Sequence, residues 1–140
     1  MDKFIFPNGD TYEGEHLNDV PHGFGKMKMN NGSSYEGNWI NGKMYGIGTF
    51  YPIGGGSLSG NFKNGKIIGK GKLTYPEGDI YEGEFKDSKP DGFGVHQYLD
   101  GSKYEGHFKS GLRHGKGLLI YRDGSKDDGV WENDFFNRPN

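Results

Sequence analysis

Glycine recurs along this chain in a fixed register of 23 residues, and that register limits the fold more than any other feature of the sequence. Two columns are glycine in all six copies: Gly9, Gly32, Gly55, Gly78, Gly101 and Gly124, then Gly14, Gly37, Gly60, Gly83, Gly106 and Gly129. A Gly-x-Gly pair recurs later in each of the first five copies, as in Gly23-Phe24-Gly25 and Gly92-Phe93-Gly94. A further column holds Gly42, Gly65 and Gly111, so of the 27 glycines only Gly54 and Gly56 fall outside the columns. A disordered glycine-rich tract has no reason to keep its glycines in register over six copies. The chain also has no alanine, and each interior glycine weakens a helix by about 1 kcal/mol relative to alanine. A helical repeat is excluded.

Between the glycine columns runs a column of rings: Tyr12, Tyr35, Tyr81 and Tyr104, with Leu58 and Asp127 in the third and sixth copies. Pro7-Asn8-Gly9-Asp10, Asn30-Asn31-Gly32-Ser33, Asp100-Gly101 and Asp123-Gly124 read as tight hairpin turns, because Asn-Gly and Asp-Gly supply positive φ. Each unit then has a first strand such as residues 72–76 and a second such as residues 79–85, with the Gly-x-Gly pairs shaping the connection between hairpins. From Lys3 this gives six consecutive hairpins, in one repeat domain over residues 1–140. The fold class is all-β: an elongated, single-layer antiparallel sheet of twelve strands, about 55 Å long at the usual strand spacing.

Side chains alternate along a strand, so Tyr35, Gly37 and Trp39 share one face and the acidic residues take the other. Tyr12, Tyr35, Trp39, Phe62, Tyr81, Phe85, Tyr104, Phe108 and Trp131 are the structural aromatics, lying over bare glycine backbone. On the preceding strands the same face carries Phe4 and Phe6, Met27 and Met29, Leu73 and Tyr75, His96 and Tyr98, and Leu119 and Tyr121. Contacts between adjacent units then spread stability along the array. At the far end Lys126, Asp127 and Asp128 put charge on an edge strand, which discourages further strand addition.

The segments Tyr12-Glu13-Gly14-Glu15, Tyr35-Glu36-Gly37-Asn38-Trp39, Tyr81-Glu82-Gly83-Glu84-Phe85 and Tyr104-Glu105-Gly106-His107-Phe108 resemble the MORN (membrane occupation and recognition nexus) repeat. His22-Gly23-Phe24-Gly25 and His114-Gly115-Lys116-Gly117 match its second half. The resemblance implies a β-hairpin ribbon of the kind used in junction proteins, lipid-kinase regulators, the non-catalytic half of a histone methyltransferase, ciliary radial spoke heads and protist cytoskeletal scaffolds. It carries over no catalytic residue. The departures are His16 at an aromatic position, Asp19 and Ser88 at glycine positions, and Leu58-Ser59 for Tyr-Glu, beside the irregular stretch from Ile53 to Leu58.

Composition and spacing exclude several chemistries. With 17 basic and 19 acidic residues and a net charge of −2, the chain lacks the basic excess that neutralises nucleic-acid phosphates. Gly-x-Gly lacks the third glycine and the helix of a dinucleotide site. The carboxylate pairs Glu13/Glu15 and Glu82/Glu84 recur on an open sheet instead of meeting once in a cleft, as a glycosidase requires. His22 and His114 stand roughly 40 Å apart by strand spacing, so no metal or other cofactor is expected. Cysteine is absent, no apolar run approaches the roughly 18 residues of a membrane span, and the first residues carry no signal-peptide core. A cytoplasmic protein, in a cytoskeletal or ciliary assembly, is expected.

The function expected is a non-enzymatic scaffold that holds an extended or helical segment of a partner protein along an aromatic and acidic groove. Glu13, Glu36, Glu82 and Glu105 form a column on one face, and Phe24, Tyr45 and Phe93 are rings outside the structural columns, so these seven residues are the candidate binding set. The alternative is peripheral membrane association through anionic phospholipid headgroups, using a basic patch such as Lys63, Lys66, Lys70 and Lys72.

Overall fold

The computed structural model describes residues 2–138. They form one antiparallel sheet of thirteen strands, each hydrogen-bonded to its neighbours in chain order. Seven-residue strands β2 (Thr11–Leu17), β4 (Ser34–Ile40), β6 (Ser57–Lys63), β8 (Ile80–Lys86), β10 (Lys103–Lys109) and β12 (Lys126–Glu132) carry the Tyr-x-Gly columns. Nine-residue strands β3 (Val20–Lys28), β5 (Lys43–Tyr51), β7 (Lys66–Thr74), β9 (Lys89–Gln97) and β11 (Leu112–Ile120) alternate with them. The short strands β1 (Lys3–Ile5) and β13 (Phe135–Phe136) flank the array. Among the described residues no helix is long and apolar enough to cross a membrane.

Three expectations need correction. The Gly-x-Gly pairs do not connect hairpins; they lie inside the long odd strands, where Gly25 faces both Gly14 and Gly37 in register. The two kinds of turn are also exchanged. The Asn-Gly and Asp-Gly segments around Gly9, Gly32, Gly101 and Gly124, and Glu77-Gly78, form wider loops, in which Phe6 N–H donates to the Asp10 carbonyl and the positive φ falls on the glycine. The tight two-residue turns sit at the other margin, where both central residues have positive φ: 50° and 63° at Asn18 and Asp19, 51° and 65° at Asp87 and Ser88. Positive φ at both positions defines the turn whose twist matches the strands. Ser88, a departure from the glycine there, holds its strained backbone with a side-chain bond: its Oγ accepts the Ile67 N–H at 3.1 Å.

Third, the strands number thirteen and β12 is not an edge. Trp131 and Glu132 pair with Phe136 and Phe135. Asp127 is no exposed barrier but is buried, accepting a hydrogen bond from Tyr121 Oη at 2.6 Å and two from the Arg138 guanidinium at 3.0 and 3.2 Å. An isolated charge there would be costly to bury, so it is paired.

The ring face builds the core without a second layer. Tyr35, Tyr81 and Tyr104 are wholly excluded from solvent, and the other structural aromatics are nearly so. A Cβ added to Gly25, Gly48, Gly94 or Gly117 would lie within the ring of Tyr12, Tyr35, Tyr81 or Tyr104, so those glycines are required by the close approach of the rings. Each tyrosine makes an edge-to-face contact with a ring of the following unit: Tyr12 with Trp39, Tyr35 with Phe62, Tyr81 with Phe108 and Tyr104 with Trp131, at centroid separations of 4.9 to 5.7 Å. Such pairs add about 0.5–1.5 kcal/mol beyond area burial, and they couple neighbouring units directly.

A bulge after each Tyr-x-Gly shifts the register, as between Gly83 and Phe85. The residue in the bulge turns its carbonyl toward the tyrosine below. Tyr35, Tyr81 and Tyr104 donate to the carbonyls of Asn38, Glu84 and His107 at 3.1, 2.7 and 2.9 Å, and Tyr12 donates likewise to Glu15. The tyrosine hydroxyl thus satisfies a backbone acceptor that the bulge leaves unpaired. His16 keeps the ring character of its column, packing edge-on against Phe4 at 4.8 Å.

Candidate interaction face

The sheet has one closed face and one open face. Rings fill the first. On the second, the alternation that buries Tyr12 and Gly14 turns Glu13 outward, and the same holds for Glu36, Glu82 and Glu105, the last partly covered. Phe24, Tyr45 and Phe93 lie on this open face too, at 47, 44 and 51% exposure. All seven candidate residues therefore share the side of the sheet opposite the structural rings. The ring columns themselves are packed shut.

Cross-strand register sets their neighbours. Lys26 stands opposite both Glu13 and Glu36, and Lys72 opposite Glu82. Despite that register, the one ion pair in the glutamate column among the described residues is Lys103 Nζ to Glu105 Oε1 at 2.8 Å. Glu13, Glu36 and Glu82 keep their carboxylates free for other partners.

Two residues outside the candidate set shape the face. The Glu15 side chain folds back so that its Oε1 accepts the Phe24 N–H at 2.7 Å, and Glu84 Oε1 accepts the Phe93 N–H at 3.2 Å. These carboxylates occupy bulge positions and fix the backbone that presents each exposed phenylalanine. The sequence holds the signal: among the six copies, glutamate stands at this position only in the two units whose Gly-x-Gly centre is phenylalanine. Where isoleucine is at the centre, Asn38 Nδ2 instead donates to the Ile47 carbonyl at 3.1 Å.

Around each phenylalanine the open face dips. A hollow of about 380 Å³ is bounded by Lys3, Glu13, Phe24, Lys26 and Glu36. A second, of about 460 Å³, is bounded by Lys70, Glu82, Glu84, Phe93 and Val95. Six strand steps separate β3 from β9, roughly 30 Å. Both hollows combine an exposed ring with charges of both signs, and the second adds the bare backbone of Gly71, Gly83 and Gly94, which suits an amphipathic peptide better than a small polar substrate. Among the described residues no three His, Cys, Asp or Glu side chains come together as metal ligands.

Ionisation is perturbed mainly in the closed face. Burial pushes the Tyr35 and Tyr104 hydroxyls up to about 12 and raises Tyr81 further. At two exposed loops the reverse holds: the Ser102 hydroxyl and N–H lower Asp100, and those of Ser125 lower Asp123, bonds that order the loop.

The model of the MORN repeat family matches five consecutive stretches, residues 12–34, 35–56, 59–80, 81–103 and 104–126. The chain is a member of the MORN repeat family. The MORN matches begin at the first column tyrosine and stop before Asp127, which replaces the tyrosine in the sixth copy. The third match starts at Ser59, one residue past Leu58, so the column position that departs from tyrosine lies outside the matched stretches. No curated protein matches the chain in sequence. Among solved structures, the TCP domain of SAS-4 (dCPAP) of Drosophila melanogaster, in complex with a proline-rich motif of Ana2 (dSTIL), is 14% identical. That alignment covers 92% of this chain and 83% of that one, with a TM-score of 0.42. A likeness of this grade carries no argument about function.

Proposed function

We propose that this MORN array is a non-catalytic interaction module that holds a segment of a partner protein on its open face. The observation that carries the reading is the pair of hollows in which Glu15 and Glu84 pin exposed phenylalanines beside unpaired glutamates. An exposed aromatic held by its own backbone loses little freedom on binding, so its contact area is converted efficiently into affinity. Free carboxylates alongside select a basic or mixed-charge segment and fix its direction. A segment that spans both hollows gains from the linkage of two modest contacts. Membership of a family of repeat modules suits a role inside a larger assembly, and we place that assembly in the cytoplasm, at the cytoskeleton or cilium.

The test is affinity isolation from native cells with wild-type protein and two variants, Phe24→Ser with Phe93→Ser, and Glu36→Lys with Glu82→Lys. These side chains are exposed, so circular dichroism is expected to be unchanged. The reading expects a protein captured by the wild type to be depleted at least tenfold by each pair. Equal capture by all three proteins rejects the open face as the binding surface.

A further inference from the structure

Between Glu36 and Glu77 the chain has no aspartate or glutamate, and it has five lysines: Lys43, Lys63, Lys66, Lys70 and Lys72. Those residues are β5, β6 and β7, so an acidic protein contains a purely basic middle. All five lysines are exposed and all five project from the open face, because their strand neighbours Met44, Phe62, Ile67, Gly71 and Leu73 belong to the ring side. The glutamate column is interrupted here, with Thr49 facing Ser59 across the strands and their hydroxyl oxygens 3.0 Å apart. Exposed apolar side chains accompany the lysines: Tyr45, Ile47 and Ile68.

Lys70 and Lys72 stand opposite Glu84 and Glu82 across β7 and β8 without forming an ion pair, whereas Lys43 faces Ile40 and Lys63 faces Lys66. None of the five ion pairs among the described residues includes any of these lysines. Lys63 and Lys66 stand directly opposite each other across the Asn64-Gly65 turn. Like charges in that relation destabilise a sheet, and a feature that weakens the fold without internal compensation is a common mark of a binding surface.

Building on the interaction reading, we infer that the open face of β5–β7 docks an acidic segment of a partner protein. Its carboxylates meet Lys43, the Lys63/Lys66 pair and Lys70/Lys72, and its apolar side chains lie on Tyr45, Ile47 and Ile68. Geometry favours a segment over an anionic bilayer. The basic patch spans the strands between Glu36 on β4 and Glu82 on β8, four strand steps or roughly 20 Å. A bilayer laid on this side of the sheet would also meet those carboxylates and Glu13 beyond them, whereas a short segment ends before them. The carboxylates at either border repel an acidic chain and so set its register.

The probe is a fluorescein-labelled ten-residue peptide alternating glutamate with phenylalanine and leucine, read by anisotropy. Wild-type protein is expected to bind it, and the all-glutamine version not to bind. The triple variant Lys63→Gln, Lys66→Gln, Lys70→Gln should bind about tenfold more weakly, the sum of three surface ion pairs. Salt at 0.5 M should weaken the wild type similarly. Arg122→Gln with Lys126→Gln, charges outside the patch, should leave binding within twofold. Absence of peptide binding, or equal binding by the triple variant, overturns the inference. So does retention on phosphatidylserine-containing vesicles, lost in the triple variant, with no affinity for the peptide. Capture of the cellular partner that depends on Phe93 and Glu82 while the peptide fails would sink the acidic-segment inference and leave the interaction reading standing.

Discussion

At Gly83 and Gly94 the bare backbone of the sheet is covered by the Tyr81 ring, whereas at Gly60 and Gly71, one repeat earlier, it is covered by the Cδ1 methyl of Ile67, which reaches over from the neighbouring strand. In the regular units the tyrosine column supplies the cover and the facing residue on the odd strand is Pro21, Met44, Pro90 or Arg113. In the third unit that column holds Leu58, too short to cover the slot, and Ile67 is fully buried in its place. The edge-to-face ladder consequently stops at Phe62 and restarts at Phe85. Two aromatic segments flank an aliphatic joint. The slot over the paired glycines must be filled, but the filling atoms can come from either strand.

If Leu58 and Ile67 compensate for one another, their substitutions must be strongly non-additive. Ile67→Ala empties the slot and is expected to lower stability by about 3 kcal/mol. Leu58→Tyr drives a ring into the Ile67 methyl, a loss of about 2 kcal/mol. Together they rebuild the arrangement of the regular units, and the double variant should lose less than about 2 kcal/mol, a coupling near 3 kcal/mol. Chemical denaturation of the four proteins measures it. Simple additivity would mean that the two residues do not share one slot.

The glycines under the slot give a smaller, graded contrast. Gly94→Ala places a methyl inside the rigid Tyr81 ring and should cost roughly 3 kcal/mol. At Gly71 the new Cβ would meet the end of the Ile67 side chain at 2.6 Å and the Ser59 carbonyl oxygen at 2.8 Å. The side-chain end can swing away while the carbonyl oxygen requires a small shift of β6, so a loss of roughly 2 kcal/mol is expected. Neither glycine has positive φ, so the difference reports on packing rather than on backbone strain. Thermal melts should place the Gly71→Ala protein between Gly94→Ala and wild type; the opposite order would show that the joint is the stiffer region.

The register of 23 residues made the hairpins, the ring face and the outward glutamates legible, because each follows from period and alternation alone. The turns were harder. Asn-Gly at residues 31–32 and at residues 41–42 looks alike in sequence, yet only the second forms the two-residue turn. The choice depends on where the bulge two residues after the column position shifts the pairing; the third unit has that shift with Leu58 in the column, so the tyrosine hydroxyl answers the bulge and does not create it. Ile67 carries no signal within its own column because its role exists only across strands. Alternation leaves the direction of Glu15 and Glu84 open, and the bulge turns them back toward Phe24 and Phe93. In each case the missing information is contact between residues of different columns, which a repeat alignment read column by column does not contain.

The smallest effect tests whether the hydroxyls or only the rings make the regular units regular. Tyr81→Phe keeps the ring over Gly94 but leaves the Glu84 carbonyl of the bulge without its donor, a loss of about 1 kcal/mol. Leu58 shows that a unit can fold without this bond, so the loss should remain local, raising hydrogen exchange around the bulge at residues 83–85 more than elsewhere. The same hydroxyls give the protein an alkaline limit. Burial lifts Tyr35 and Tyr104 to about 12 in the folded chain, against the ordinary value near 10 that the unfolded chain retains. Below pH 10 both states hold the proton and the full stability is present; between pH 10 and 12 the unfolded state releases its protons first, so stability falls as pH rises. The joint carries no column hydroxyl, although burial raises Tyr75 at its border as well. Replacing Tyr35 and Tyr104 with phenylalanine should therefore lower stability at pH 8 and flatten its decline between pH 10 and 12. A decline of unchanged steepness would assign the alkaline limit to groups outside the ladder.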